Sequence, residues 1–167
     1  GSRPMLVEIQ ALVAPSSFAT PRRAVVGWDS ARLSMTLAVL EARCGLQFAG
    51  NDVYLNVAGG LRISEPAADL AVAAALISSL TGEPMPENMI VFGEIGLSGE
   101  VRPVGQADTR LKEAEKLGFE AALTPSKSQK NGTKKSSASL QVTEIKHLRS
   151  LIGMFSDAKQ KVPALGK

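Results

Sequence analysis

From Leu70 to Leu80 the chain holds only apolar residues and two serines, Ser78 and Ser79. A helix that is apolar on every side is a buried one, so this stretch predicts the central helix of the fold. Ser64 is suited to cap it, with Glu65 and Pro66 in its first turn. Gly82 closes it, and Glu83-Pro84-Met85-Pro86 cannot continue it. Ahead of it, Met5–Val13 and Arg22–Gly27 read as two strands, antiparallel to each other, joined by the Pro/Ser loop Ala14–Thr20. Asp29 or Ser30 caps a helix from Ala31 to about Cys44, with Leu33, Leu37, Leu40 and Cys44 on one face and Gly45 at its end. Asp52–Val57 is a third strand, Gly59-Gly60 a turn, and Leu61–Ile63 an extension of the pairing. Behind the central helix come a buried strand at Met89–Phe92 and a hairpin over Gly93–Val101 turning near Ser98-Gly99. A helix over Asp108–Leu117 ends at Gly118. The strand Glu120–Thr124, the polar basic loop Lys127–Ser139, the strand Leu140–Ile145 and the helix Leu148–Phe155 complete the order. That order predicts an α/β (α+β) domain: one mixed sheet with packed helices, and no internal repeat.

A chain of 167 residues is long enough to bury a core as one domain. Gly1-Ser2 reads as the scar of an expression tag, residues 3–157 as the domain and residues 158–167 as a frayed tail. The first apolar stretch opens in mid-strand, which suggests a domain cut from a longer protein. The Leu70–Leu80 run stops short of a membrane span, and no secretory pattern opens the chain. One cysteine, Cys44, excludes an internal disulfide and a cysteine-cluster metal site, and its apolar helical neighbours point to core packing. The expectation is a cytoplasmic protein with no membrane partner. The net charge of +3 and pI near 9.2 permit nucleic-acid binding without demonstrating it. The distribution says more: every lysine lies at or after Lys112, so the earlier part uses arginine alone. Arginine holds phosphate through a planar bidentate fork, which suits defined phosphate contacts.

Familiar catalytic patterns are missing. Gly132-Thr133-Lys134-Lys135-Ser136 lacks the second glycine and the strand–loop–helix setting of a phosphate-binding loop. Gly93, Gly96 and Gly99 sit in a hairpin-like run and read as tight turns. His147 is the sole histidine and stands alone near the C-terminus, which argues against a catalytic triad or histidine-based metal site; it reads as a surface residue ahead of the last helix. The loop Arg62–Asp69, a capped start to a buried helix, is the place where chemistry is expected.

That loop carries a resemblance. Glu65-Pro66-Ala67-Ala68-Asp69, followed by Ala75–Pro84, resembles the stretch around the catalytic serine of Lon-type proteases. Gly93-Glu94-Ile95, Leu97, Gly99, Val101 and Pro103-Val104-Gly105 resemble the stretch before their catalytic lysine. The resemblance implies a Lon protease-like domain of the ribosomal protein S5 domain 2-like fold. It also implies that the serine position is Ala67 and the lysine position Asp108. A serine–lysine dyad needs a hydroxyl nucleophile and a neutral amine to take its proton, and neither residue supplies one. Ser64 and Lys112 are the pair from which a relocated dyad would be built; a helix cap and a solvated helix residue are their structural alternatives.

Leu6–Val13, Pro21-Arg22-Arg23, Asp52–Gly60, Ile63–Leu70 and Phe92–Pro103 are, in turn, similar to the C-terminal domain of the bacterial RadA (Sms) family of DNA-repair ATPases. The Lys127–Ser139 segment departs from that pattern. The resemblance implies a domain without peptidase activity that helps hold an ATPase ring, a hexamer, together and binds DNA. It implies no cofactor in this domain, with ATP, magnesium and zinc in upstream domains, and as partners DNA, duplex or branched, and further copies of the chain. The candidate DNA contacts are Arg22, Arg23, Arg32, Arg62, Arg102 and Arg110, with Lys127, Lys130, Lys134 and Lys135 as diffuse attraction. Few aromatics, 4% of residues, argue against stacking on single strands. A purely oligomeric scaffold, a relocated peptidase and the inactive Lon-like domains of magnesium-chelatase-like ATPases are the alternatives.

Overall fold

The computed structural model describes residues 7–60, 63, 65–126 and 140–161. Gly1-Ser2, Arg62, Ser64, the Lys127–Ser139 loop and residues 162–167 of the expected tail lie outside the described residues. The elements are β1 (Ile9–Pro15), β2 (Arg23–Val26), α1 (Ser30–Cys44), β3 (Asn51–Val57), α2 (Asp69–Thr81), β4 (Met89–Val91), β5 (Glu94–Ile95), β6 (Val101–Arg102), α3 (Ala107–Lys116), β7 (Ala121–Pro125), β8 (Gln141–Ile145) and α4 (Leu148–Lys161). Among the described residues no helix is long and apolar enough to cross a membrane.

The strands form separate sheets, where one mixed sheet was expected. The first, in order β1-β3-β2, is mixed, and the second, β4-β7-β8, is wholly parallel; β5 and β6 make a two-stranded hairpin. The expected antiparallel pairing of β1 with β2 is absent. β2 instead runs parallel to β3, and β1 pairs antiparallel with β3 on its other side. The reason is α1: a helix between two strands carries the chain back to its starting end, so β2-α1-β3 closes as a parallel unit.

The termini of the helices follow local chemistry. The Asp29 carboxylate accepts from the Ala31 N–H at 3.2 Å and caps α1, and Gly45 ends it in the left-handed region. α2 starts later than expected: a 3₁₀ turn at Pro66–Ala68, reached from an extended Glu65, precedes it, and the helix proper begins at Asp69. Its far end is closed by the hydroxyls the sequence supplies, Ser78 donating to the Glu83 carbonyl (2.6 Å) and Thr81 to the Ile77 carbonyl (2.8 Å). Ser79 accepts from the Val13 N–H of β1 at 2.8 Å, so the serines of this apolar helix tie it to its surroundings. α4 continues six residues past the expected end at Phe155, to Lys161.

α2 is the axis of the core, with Leu70, Val72, Ala73, Leu76 and Ile77 buried in a helix that packs against α1, β1, α4 and β5. Cys44 is half-buried against this cluster, and burial pushes its thiol pKa up, against the opposing charge of Arg149. A smaller cluster around Phe92, Ala114, Ala122 and Leu140 sits between α3 and the parallel sheet.

The β5–β6 hairpin is fastened to α4 rather than standing free. Leu148 N–H donates to the Gly99 carbonyl (2.9 Å) and Val101 N–H to the Lys146 carbonyl (2.8 Å). His147 is part of this joint rather than a free surface residue: Nε2–H donates to the Ser98 carbonyl (2.8 Å), and Nδ1 accepts from the Arg149 N–H (3.1 Å). Gly99 has φ +86°, and a Cβ there would lie 2.6 Å from His147 Cε1. Gly99→Ala is expected to destabilise the fold by the roughly 1–2 kcal/mol of left-handed strain plus the cost of moving His147, read as a lower midpoint in urea unfolding.

Candidate functional site

The loop leading into α2 is held from three directions. The Ala67 carbonyl accepts from Gly93 N–H (2.9 Å), and Leu70 N–H donates to the Gly93 carbonyl (3.0 Å), so the loop is laced to the strand end after β4. Ala67 itself is buried. The second tie is Asp69. Its carboxylate is fully buried and receives Arg32 Nε (2.8 Å) and Nη2 (2.5 Å) in bidentate fashion, and Ile95 N–H (3.0 Å). The hydrogen bond to Asp69 raises the Arg32 pKa above its already high value, against the lowering effect of burial. The third tie is Arg110, itself buried: Nη2 donates to Glu65 (3.0 Å), Nε to the Gly105 carbonyl (3.0 Å), and the guanidinium lies 5.7 Å from the Phe92 ring centre. Arg110 thereby joins the mouth of α2 to the mouth of α3.

A cleft of about 630 Å³ opens at this junction. Its wall at the position expected for a nucleophile is made of methyl groups from Ala67, Ala68, Ala71 and Ala75, facing Met89 and Phe92. Asp108 is exposed in the first turn of α3, and Lys112 is exposed one turn further on. Neither they nor any hydroxyl lines the cleft among the described residues, and Ser64 lies outside them. Among the described residues no group of three or more His, Cys, Asp and Glu side chains is arranged to hold a metal ion.

The six arginines singled out by sequence separate into classes. Arg32 and Arg110 are committed to carboxylates inside the fold. Arg102 holds Glu100 of its own hairpin, through Nε (2.9 Å) and Nη2 (2.7 Å), and remains exposed. Arg62 lies outside the described residues, as do Lys127, Lys130, Lys134 and Lys135. Arg22 and Arg23 are exposed and form no salt bridge among the described residues. Arg22 lies over the Phe18 ring at 4.3 Å. Arg23 Nη1 donates to the Asn51 carbonyl (2.6 Å) and the Arg22 carbonyl (3.1 Å), which fixes the side chain along the end of the sheet. Their backbone is anchored by Asp52, which accepts from Arg22 N–H at 2.7 Å. Sequence reasoning passed over Arg43, at the end of α1, and Arg149, at the start of α4. No local pattern marks either; only the tertiary fold brings the helix ends that carry them to the β5–β6 turn.

Known proteins resemble the chain as follows. A protein-family profile described as subunit ChlI of Mg-chelatase matches residues 21–128. The chain is 69% identical over 125 residues to DNA repair protein RadA of Brucella abortus, covering 75% of this chain and 27% of that protein. It is 50% identical over 152 residues to the Pseudomonas aeruginosa RadA, covering 91% of this chain and 33% of the relative. With the Escherichia coli RadA it shares 46% identity over 157 residues, covering 94% of this chain and 34% of the relative. The chain thus spans between a quarter and about a third of the length of these relatives.

Three outcomes are expected. Arg32→Ala leaves a buried carboxylate without its counter-charge and should cost about 3–5 kcal/mol in urea unfolding. Arg32→Leu combined with Asp69→Leu should recover much of that loss. The Asp52 carboxyl is held below the ordinary carboxylate range, by the Arg22 N–H first and then the Ser16 hydroxyl. A carboxyl lowered in the folded state stabilises fully above its unfolded value, and the contribution is lost as pH falls through the folded value. Asp52→Asn should therefore flatten the decline in unfolding midpoint below about pH 4.

Proposed function

The chain belongs to the family described as subunit ChlI of Mg-chelatase and matches the C-terminal part of DNA repair protein RadA, and from that premise we propose that it is a Lon-like module without peptidase activity that binds DNA and assembles with copies of itself into a ring. Its task in this reading is to hold a DNA-repair ATPase together on duplex or branched DNA, independently of sequence, in the cytoplasm. ATP, magnesium and zinc belong to regions of the whole protein outside this chain, and this domain needs no cofactor of its own.

The observation that carries the reading is the pairing of two facts. The relatives that match most of the chain are named as DNA repair proteins, and Ala67, which the Lon resemblance sets at the nucleophile position, is buried and laced to Gly93. Chemistry has gone from the loop, while the joint it makes between α1, α2, the hairpin and α3 is intact. A domain so built supports binding and assembly in place of hydrolysis.

Within that reading DNA contact falls on exposed arginines, so Arg32 and Arg110 serve the fold and Arg22 and Arg23 serve the ligand. Phosphate neutralisation makes affinity fall with salt, with a log–log slope of about 0.9 per contact on duplex DNA. Arg22→Glu with Arg23→Glu should weaken binding to a labelled duplex and reduce the magnitude of the salt slope by about 2, measured by fluorescence anisotropy. No binding by the unaltered chain even at low salt would remove DNA from the reading and leave an oligomeric scaffold. Equal binding by the charge-reversed chain would remove Arg22 and Arg23 from it.

A further inference from the structure

The turn at Gly96–Gly99 brings together residues that lie far apart in the sequence. Arg43, at the C-terminal end of α1, donates from Nε to the Leu97 carbonyl at 3.2 Å, and its Cβ would lie 3.4 Å from a Cβ on Gly99. Arg149 sits just beyond, in the first turn of α4; its charge reaches the thiol of Cys44, the neighbour of Arg43. Lys146 is exposed beside the hairpin, its carbonyl bonded to Val101 N–H. Arg102 borders the same turn through Glu100, whose carboxylate also accepts from Ser98 N–H at 3.1 Å. Four exposed cationic residues therefore lie on the segments that meet at this turn, and Glu100, the carboxylate of the hairpin, is already engaged by Arg102 and the turn.

Two features of the cluster run against what the fold alone would favour. Cations are disfavoured at the positive end of a helix, yet α4 has no acidic residue in its first turn and carries Arg149 there, with Lys146 just ahead of it. Neither Arg43 nor Arg149 has an ion-pair partner among the described residues. An anion resting between them would relieve both the mutual repulsion and the unfavourable placement at the helix end. The second feature is Leu97, 66% exposed at the tip of the turn. It is not loose: Gly96 N–H to the Glu100 carbonyl, Gly99 N–H to the Gly96 carbonyl, Arg43 to the Leu97 carbonyl and His147 to the Ser98 carbonyl fix the turn beneath it. A rigidly presented apolar side chain flanked by cationic residues is the arrangement with which proteins press against the sugars and base edges of a DNA groove while gripping its phosphates.

We propose that Arg43, Lys146 and Arg149, with Arg102 at the margin, form a phosphodiester-binding site for duplex DNA, and that Leu97 enters the groove between the gripped strands. The proposal rests on the DNA-binding reading above and adds a second contact site to it, on elements other than those that carry Arg22 and Arg23.

The test measures binding of a labelled duplex across a salt series, with the whole 167-residue chain. Arg43→Ala with Arg149→Ala should reduce the magnitude of the salt slope by about 1.8, two contacts at about 0.9 each. Arg43→Lys with Arg149→Lys should restore most of it. Leu97→Ala should lower affinity at every salt concentration and leave the slope unchanged. All three positions are at the surface, and an unchanged thermal unfolding midpoint verifies that each variant is folded. If the unaltered chain binds and Arg22→Glu/Arg23→Glu weakens it, but Arg43→Ala/Arg149→Ala binds with the original slope, the site proposed here is overturned and the general reading stands. If Leu97→Ala dissolves a self-associated species in light scattering and leaves DNA affinity intact, the patch belongs to a second copy of the chain, and the proposal is likewise overturned.

Discussion

The Asp69 carboxylate is fully enclosed, and three donors converge on it: two from Arg32 of α1 and one from the Ile95 amide of β5. A charge in such a place is tolerated only when its partners are fixed and complete. That requirement sets the relative positions of α1, α2 and the β5–β6 hairpin more narrowly than apolar packing does, because apolar contact tolerates sliding and a bidentate ion pair does not. The Gly93 bonds to Ala67 and Leu70 then place β4 against the same loop, and Arg110 carries the constraint on to α3. The first turn of α2 is thus the point at which four other elements meet.

Seen this way, the loop that resembles a protease site is a structural joint. Its backbone path is dictated by Pro66, Asp69 and the two Gly93 bonds, none of which needs a nucleophile. The alanines that line the cleft give it an apolar wall. The path of the loop is therefore enforced by what the joint must hold.

Much of this was legible in the sequence. The apolar run from Leu70 marked the central helix, and Asp29, Gly45, Gly82 and Gly118 marked helix ends, since those signals are local. What failed was whatever depended on partners distant in the chain. The pairing of β2 turned on which strand lies in the middle of the first sheet, which no alternation of side chains reveals. Arg32 and Arg22 look equally exposed in sequence, yet one is half-buried and paired with Asp69, 37 residues away, and the other lies on the surface. The same blindness hid Arg43 and Arg149, which are ordinary helix-end residues until the hairpin brings them together. His147 was read as a bystander because its partners, Ser98 and Gly99, lie some fifty residues earlier.

The fastening of the hairpin to α4 has an entropic consequence. A surface loop ordinarily surrenders conformational freedom when it docks, at about 0.5–1.5 kcal/mol for each side chain immobilised. The turn bearing Leu97 has already made that surrender during folding, since its backbone is bonded to Arg43, Glu100 and His147 before anything arrives. Whatever meets this tip meets a shape settled in advance, and contact there owes little to adjustment of the loop.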